Sequence, residues 1–326
     1  MSTEPARTCA YALADGTRCP CPAEPAGSLC FWHDPSQPKD GPDVRQRLEA
    51  WARGGGSMEG FVLRHANLEG LRLSGARTAD LRHAVLFRAC LRGASLWNAN
   101  LCGADLMKAD LSGANLNEAR LLGANILGAV IDGAKLERTQ WGDRAVQEGA
   151  AEQAAARGDA AAAHAAYVEA EEVYRGLRLA HGGAGRHEDA GVFFRREMTM
   201  RRKLMPRWSL GRMWSKLVDL CSGYGEAPER VVVSSLGVVL GCAAAYLLIG
   251  VRAPEGPLVF QSEAGVWANL AQFLNCVYFS FVTFTTVGFG DIVPTQAARP
   301  VAAAEAFLGA FMISLFVAVF ARKMTR

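Results

Sequence analysis

From Leu81 to Trp141 every fifth residue is large and apolar: Leu86, Leu91, Leu96, Leu101, Leu106, Leu111, Leu116, Leu121, Ile126, Ile131, Leu136 and Trp141. Alanine stands two places before most of them, from Ala84 to Ala134, and an earlier run centres on Leu63, Leu68 and Leu73. The two runs fall out of phase near Thr78-Ala79-Asp80. Five residues at about 100° each advance a helical position by about 500°, so no helix keeps such a stripe on one face. A solenoid with four short sides does, because every side then turns one large and one small residue inward.

Further along, the pattern becomes continuously apolar. Val231–Gly250 runs for 20 residues without a charge, and Val301–Ala321 is a second run interrupted only by Glu305. Each is long enough to cross a hydrocarbon core of about 30 Å at about 1.5 Å per residue. Between them, Trp267–Thr286 is apolar but carries Asn269, Gln272, Asn275, Ser280 and several threonines, which predicts a re-entrant helix. Non-helical backbone at membrane depth is tolerated only beside protein or a water-filled pore. Upstream, 145–180 and 186–204 predict two antiparallel helices around His181-Gly182-Gly183-Ala184-Gly185, with Tyr167, Ala170, Tyr174 and Leu177 facing Phe193, Phe194 and Met198.

These patterns divide the chain into 1–36, rich in Cys and Pro; a linker, 37–56; the repeat, 57–141; a helical hairpin, 142–204; an interfacial helix, 205–227; and a membrane part, 228–326. In the fifth segment Trp208, Leu210, Met213, Trp214, Leu217 and Leu220 interleave with Arg207, Arg212 and Lys216, the composition of a helix lying in a membrane interface.

Charge changes the picture by setting direction. Arg195–Lys216 holds eight Arg/Lys against one acidic residue, and Arg322, Lys323 and Arg326 follow the second run, whereas 251–300 has only Arg252 and Arg299. The positive-inside rule therefore predicts a multi-pass protein of the cell's inner (plasma) membrane with both termini cytoplasmic. The start Met-Ser-Thr-Glu-Pro shows no secretory leader. The net charge of +3 implies no nucleic-acid partner, and ten Arg/Lys against eight Asp/Glu in 57–141 make the repeat a poor mimic of a polyanion.

Thr286-Val287-Gly288-Phe289-Gly290-Asp291 sits between the two spans. A K+ ion enters a narrow pore only if oxygens replace its hydration shell, and four copies of such a segment around an axis supply them from backbone carbonyls. Gly288 and Gly290 suit positions where the backbone turns to positive φ. With Tyr278–Thr285 before it, this segment strongly resembles the two-helix potassium channels. The resemblance implies a homotetramer built as span, pore helix, filter, span. It makes Thr286, Val287, Gly288, Phe289 and Gly290 ion-coordinating, with Thr285 and Asp291 as filter support. Val282 stands where some bacterial relatives have a glutamate that contacts this aspartate, so Asp291 needs a different partner. Gly309 stands where relatives bend to gate; close helix packing is an equal reading. Glu305, costly in lipid, is expected to face protein.

Residues 61–141, with Ala66-Asn67-Leu68, Ala104-Asp105-Leu106 and Ala114-Asn115-Leu116, resemble the pentapeptide-repeat family, which implies a right-handed quadrilateral β-helix. The whole resembles prokaryotic channels in which a two-helix pore is fused to an N-terminal pentapeptide-repeat domain. The hairpin is more weakly similar to one tetratricopeptide-like unit. Cys9, Cys19, Cys30 and His33 can form a closed tetrahedral zinc site, and Gly16-Thr17-Arg18-Cys19, Pro22-Ala23 and Cys30-Phe31-Trp32-His33 resemble a small Cys/His motif. Cys21 is a spare that competes with Cys19. So few apolar side chains in 1–36 need a staple to fold, and the thiolates point to a reducing compartment.

The expected function is a potassium-selective channel modulated through its cytoplasmic N-terminal part, where a protein or ligand could bind. The alternatives are a non-selective cation channel, or a membrane-anchored repeat scaffold. No arginine repeat precedes the pore and no ligand-binding domain is expected after Arg326. An enzyme is disfavoured, since no nucleophile–base pair or phosphate loop is present.

Overall fold

A computed structural model describes residues 8–25, 27–73, 78–263 and 265–325. The chain divides into two compact units, Met1–Arg207 and Trp208–Arg326.

The first unit is built on the five-residue repeat. Single parallel β-bridges join each side of the solenoid to the next coil: Asp80 to Asn100, Asn100 to Arg120, and Arg120 to Gln140. Each step is 20 residues, four pentapeptides. Earlier, Val62 pairs with Val85 and Asn67 with Cys90, steps of 23, so the slip in phase is three extra residues in one coil. The central Leu and preceding Ala are almost all buried. Their neighbours explain the corners: Asp105, Asp110 and Asn115 side chains accept from the backbone N–H two places on, at 3.2, 3.0 and 3.1 Å. A short acceptor at that place closes the turn that a longer side chain would leave open.

Both ends of the solenoid are covered. At the first, Trp32 stacks on Phe61 with centroids 5.2 Å apart. Helix α1 (Val44–Arg53) lies within the segment expected to be a linker, and it buries Val44 and Leu48. At the other end stand α2 (Val146–Ala156), α3 (Ala160–Gly183) and α4 (His187–Leu204). The expected single helix over 145–180 is therefore two. Gly158 at φ +80° breaks it, and Asp159 restarts it by accepting from Ala162 N. The Tyr174 hydroxyl accepts from Ala145 N at 2.9 Å and donates to Glu148 at 2.5 Å, pinning α3 to the start of α2. On α4, Phe193 and Met200 are buried while Phe194 and Met198 are only half-buried, so the packed face is rotated from the expected one.

The second unit opens with α5 (Leu210–Ser222), capped by Ser209 at Arg212 N. Its apolar face is bare: Leu210 is 83% exposed and Trp214 64%. Then come α6 (Pro228–Ile249), β1 (Val251–Ala253), β2 (Gly256–Leu258), α7 (Val266–Phe284), β3 (Val293–Pro294) and α8 (Arg299–Met324). β1 pairs antiparallel with both β2 and β3, so the loops after α6 and before α8 meet in one small sheet. At the opposite end Arg322 bonds Glu226 at 3.1 Å. The start of α6 and the end of α8 thus lie on the same side. Both helices are long and apolar enough to cross a membrane, and most of that surface is exposed rather than buried as in a soluble core.

Candidate ion pathway and metal centre

Helix α7 lies between α6 and α8 and ends at Thr285, whose N–H bonds back to Phe281 O. A helix C-terminus carries partial negative charge, so α7 points a cation-favouring end at the segment that follows. In that segment φ is positive at Thr286 (+58°), Gly288 (+63°) and Gly290 (+82°), and not at Val287 or Phe289. Alternating handedness turns successive carbonyls to one side of the strand. Glycine makes this cheap at two of the three places, and Thr286 holds a conformation that L-residues rarely take. Residues 286–291 are all exposed in the single chain, including Val287 at 55% and Phe289 at 70%.

Thr285 Oγ1 donates to Phe281 O at 2.8 Å, which ties it to the last turn of α7. Asp291 accepts from Tyr278 Oη at 2.8 Å. Tyr278 is one helical turn before Val282, so the hydroxyl takes over a contact that Val282, buried and apolar, cannot make. The sequence signalled that a partner was missing; only the fold supplies it.

Gly309 is buried on α8, and a Cβ there would fall on the Phe284 carbonyl group. Helix α8 runs unbroken through it, so what the structure places at Gly309 is close backbone packing against the end of α7. Glu305, one turn earlier, is 1% exposed and faces protein. It accepts from Tyr246 Oη of α6 at 2.6 Å and meets Ser280 Oγ of α7, which also reaches Val239 O of α6 at 2.8 Å. The sequence marked Ser280 only as a polar residue in an apolar run, and it did not mark Tyr246.

In the first unit, one ligand atom from each of Cys9, Cys19, Cys30 and His33 lies within 4.8 Å of all the others, and all four residues are buried. Cys19 Sγ is 3.9 Å from Cys30 Sγ, Cys30 Sγ 3.3 Å and Cys9 Sγ 3.6 Å from His33 Nδ1. The edges of a tetrahedron with Zn–S of about 2.3 Å and Zn–N of about 2.0 Å come to about 3.5–3.8 Å, so the donors fit zinc. His33 Nε2 lies 2.8 Å from Glu59 O and donates to it, which leaves Nδ1 as the bare lone pair facing the thiols. Tyr11 stacks on the ring at 3.9 Å. Burial pushes the Cys19 thiol up to about 11 and Cys30 to about 12, and it lowers His33. The histidine is thereby neutral, and a cation must displace thiol protons on binding. Cys21 is buried beside this set but lies outside it.

A segment of alternating φ sign at the end of α7, flanked by two membrane-length helices, fits an ion-channel module. Residues 234–326 match the family model for ion channels, and 79–116 and 104–139 match that for pentapeptide repeats. The chain carries both. Over 73 residues it is 40% identical to two pore potassium channel a of Oryza sativa subsp. japonica, a stretch covering 22% of this chain and 20% of that protein. This chain thus spans about a fifth of that relative. Among solved structures, it is 40% identical to the pentapeptide repeat protein Rfr23 from Cyanothece 51142 over 25% of this chain and 53% of that one, with a TM-score of 0.24. It is likewise 40% identical to HetL from Nostoc sp. strain PCC 7120 over 24% and 38%, with a TM-score of 0.20.

Proposed function

We propose that the chain is one subunit of a homotetrameric, potassium-selective channel, with Thr286, Val287, Gly288, Phe289 and Gly290 forming the filter. The observation that carries this reading is the alternation of φ sign through Thr286–Gly290 directly after the C-terminus of α7. Carbonyls turned to one side can replace a hydration shell only if other copies close the ring. The exposed Val287 and Phe289 need cover of the kind those copies provide. The likeness to a two pore potassium channel supports K+ as the ion.

Both termini are read as cytoplasmic: Arg322 and Lys323 end α8 on the side where α6 starts, and the sequence before α6 is basic, the bias the positive-inside rule expects of a cytoplasmic flank. Helix α5, with its bare apolar face and basic residues, is placed in the inner membrane interface. The repeat is read as a right-handed quadrilateral β-helix that modulates the pore through a protein or ligand partner. Cys9, Cys19, Cys30 and His33 hold a structural zinc: four protein ligands leave no open position for catalysis.

The test is ion flux from purified protein in liposomes, K+ against Na+, with barium as blocker. Barium-sensitive K+ flux supports the reading; equal Na+ flux marks a non-selective cation channel, and no flux leaves a membrane-anchored scaffold. For modulation, removal of 1–204 is expected to leave a selective pore with altered open probability, and an unchanged open probability would refute it.

A further inference from the structure

We propose that Glu305 is a positioning residue that acts in its protonated form, clamping the pore helix to both spanning helices behind the filter. This rests on the ion-channel reading and extends it to how the filter is held.

The argument is a count of protons. Ser280 Oγ has one hydrogen and two oxygen neighbours, Val239 O on α6 and Glu305 Oε1 on α8. A carbonyl can only accept, so the Val239 bond consumes the serine proton. The Ser280–Glu305 contact is then oxygen against oxygen and needs a proton from the carboxyl group. On its other side, Glu305 Oε2 accepts from Tyr246 Oη at 2.6 Å, so that position is filled by a donor already. Only the neutral acid satisfies every partner at once: Tyr246 and the Cys242 thiol donate to Glu305, Glu305 donates to Ser280, and Ser280 to Val239 O. An ionised Glu305 would capture the serine proton and release α6 from α7.

The surroundings agree. Ser280 and Tyr246 are 0% exposed and Glu305 1%. The ionisable groups facing Glu305 from α6 are Tyr246 and Cys242, and its partner on α7 is Ser280; no Lys, Arg or His reaches it among the described residues. An unpaired carboxylate in such a place is costly, while a neutral acid that donates one bond and accepts the others is fully satisfied.

The consequence is mechanical. Ser280 lies six residues before Thr286 on the helix that delivers the filter strand, and Glu305 lies one turn before Gly309, where α8 touches the Phe284 backbone. Any shift of α8 therefore acts on α7 at two adjacent points, one polar and one steric. Glu305 thereby sets the position of the filter without touching the ion.

The experiment compares full-length wild type, Glu305→Gln and Glu305→Leu in liposomes, with infrared spectra of the first two. Glutamine can donate to Ser280 and accept from Tyr246, so K+ flux is expected within about threefold of wild type, whereas leucine is expected to lower it about tenfold or more. The wild type is expected to show a protonated-carboxyl C=O band at neutral pH that Glu305→Gln lacks. Wild-type flux from Glu305→Leu would overturn the positioning role. A glutamine variant as damaged as the leucine one, or the absence of that band, would overturn the protonated form. Should Glu305→Leu fail to assemble, Ser280→Ala takes its place, with a comparable loss expected and wild-type flux again overturning the role. If the wild type itself carries no K+, the channel reading fails, and the infrared band still decides the protonation of Glu305.

Discussion

Single atoms decide several features of this chain. Asp105, Asp110 and Asn115 place an acceptor over the backbone N–H two residues on, which is why Asp or Asn recurs before about half of the central apolar residues. Gly309 is decided in the same way: the missing Cβ is what lets α8 lie on the Phe284 carbonyl group. Glycine at this place was legible in the sequence, but hinge and packing could not be told apart there, because the neighbour it must clear belongs to another helix. Gly309→Ala is expected to force α8 off the end of α7, at a cost of about 1–3 kcal/mol, and to lower K+ flux. A thermal shift of the purified protein and liposome flux check it; unchanged values for both would contradict the packing. The Tyr278–Asp291 bond is a second case of this kind. The motif declared Asp291 in need of a donor, yet the donor is 13 positions upstream and becomes adjacent only when the strand folds back along α7.

The helices and coils show what periodicity can carry. A stripe repeating every five residues has one solution, stacked coils, and it was readable because the same two residue sizes recur at every side. The spans were readable from length alone. The helices capping the solenoid were read less well. Gly158 was passed over inside an alanine-rich run, and α1 was missed because 37–56 offers few apolar residues, of which Val44 and Leu48 become buried only against the coils. The burial of those caps makes two predictions. Cys30→Ser removes one of four donors from a set with almost no apolar core, so zinc measured by metal analysis is expected to fall from about one per chain to well below half, with 1–36 becoming protease-sensitive. Full zinc retention would contradict the assigned ligands.

The second concerns His181 at the end of α3, 2% exposed between Trp141 and Phe193. Its Nδ1 is 3.5 Å from Asp189, too far for a strong hydrogen bond, and burial lowers its pKa. The folded state therefore prefers the neutral ring. That preference contributes stability above the unfolded value of about 6.5, and the contribution fades as pH falls below it, because the unfolded chain takes up the proton first. Melting of the full-length protein between pH 5 and 8 is expected to show a decline toward acid that His181→Phe flattens. An identical slope in the variant would count against this source.

At the scale of the whole molecule, the two units answer different questions. The first folds around its own core and its donor cluster. The second exposes the residues that matter most, with Val287 and Phe289 uncovered and the positive-φ strand facing open space. On the proposed reading, identical neighbours around an axis would cover that surface and complete a cage of oxygens. The ion-channel module itself was readable from the motif and its flanking spans. What regulates the pore was not readable, since the repeat describes a shape and carries no catalytic or ligand chemistry. The most direct measurement is the reversal potential of the purified full-length protein in planar bilayers with K+ on one side and Na+ on the other. The account predicts a value near the K+ equilibrium potential; a reversal near zero, or protein that is monomeric in lipid, would contradict it.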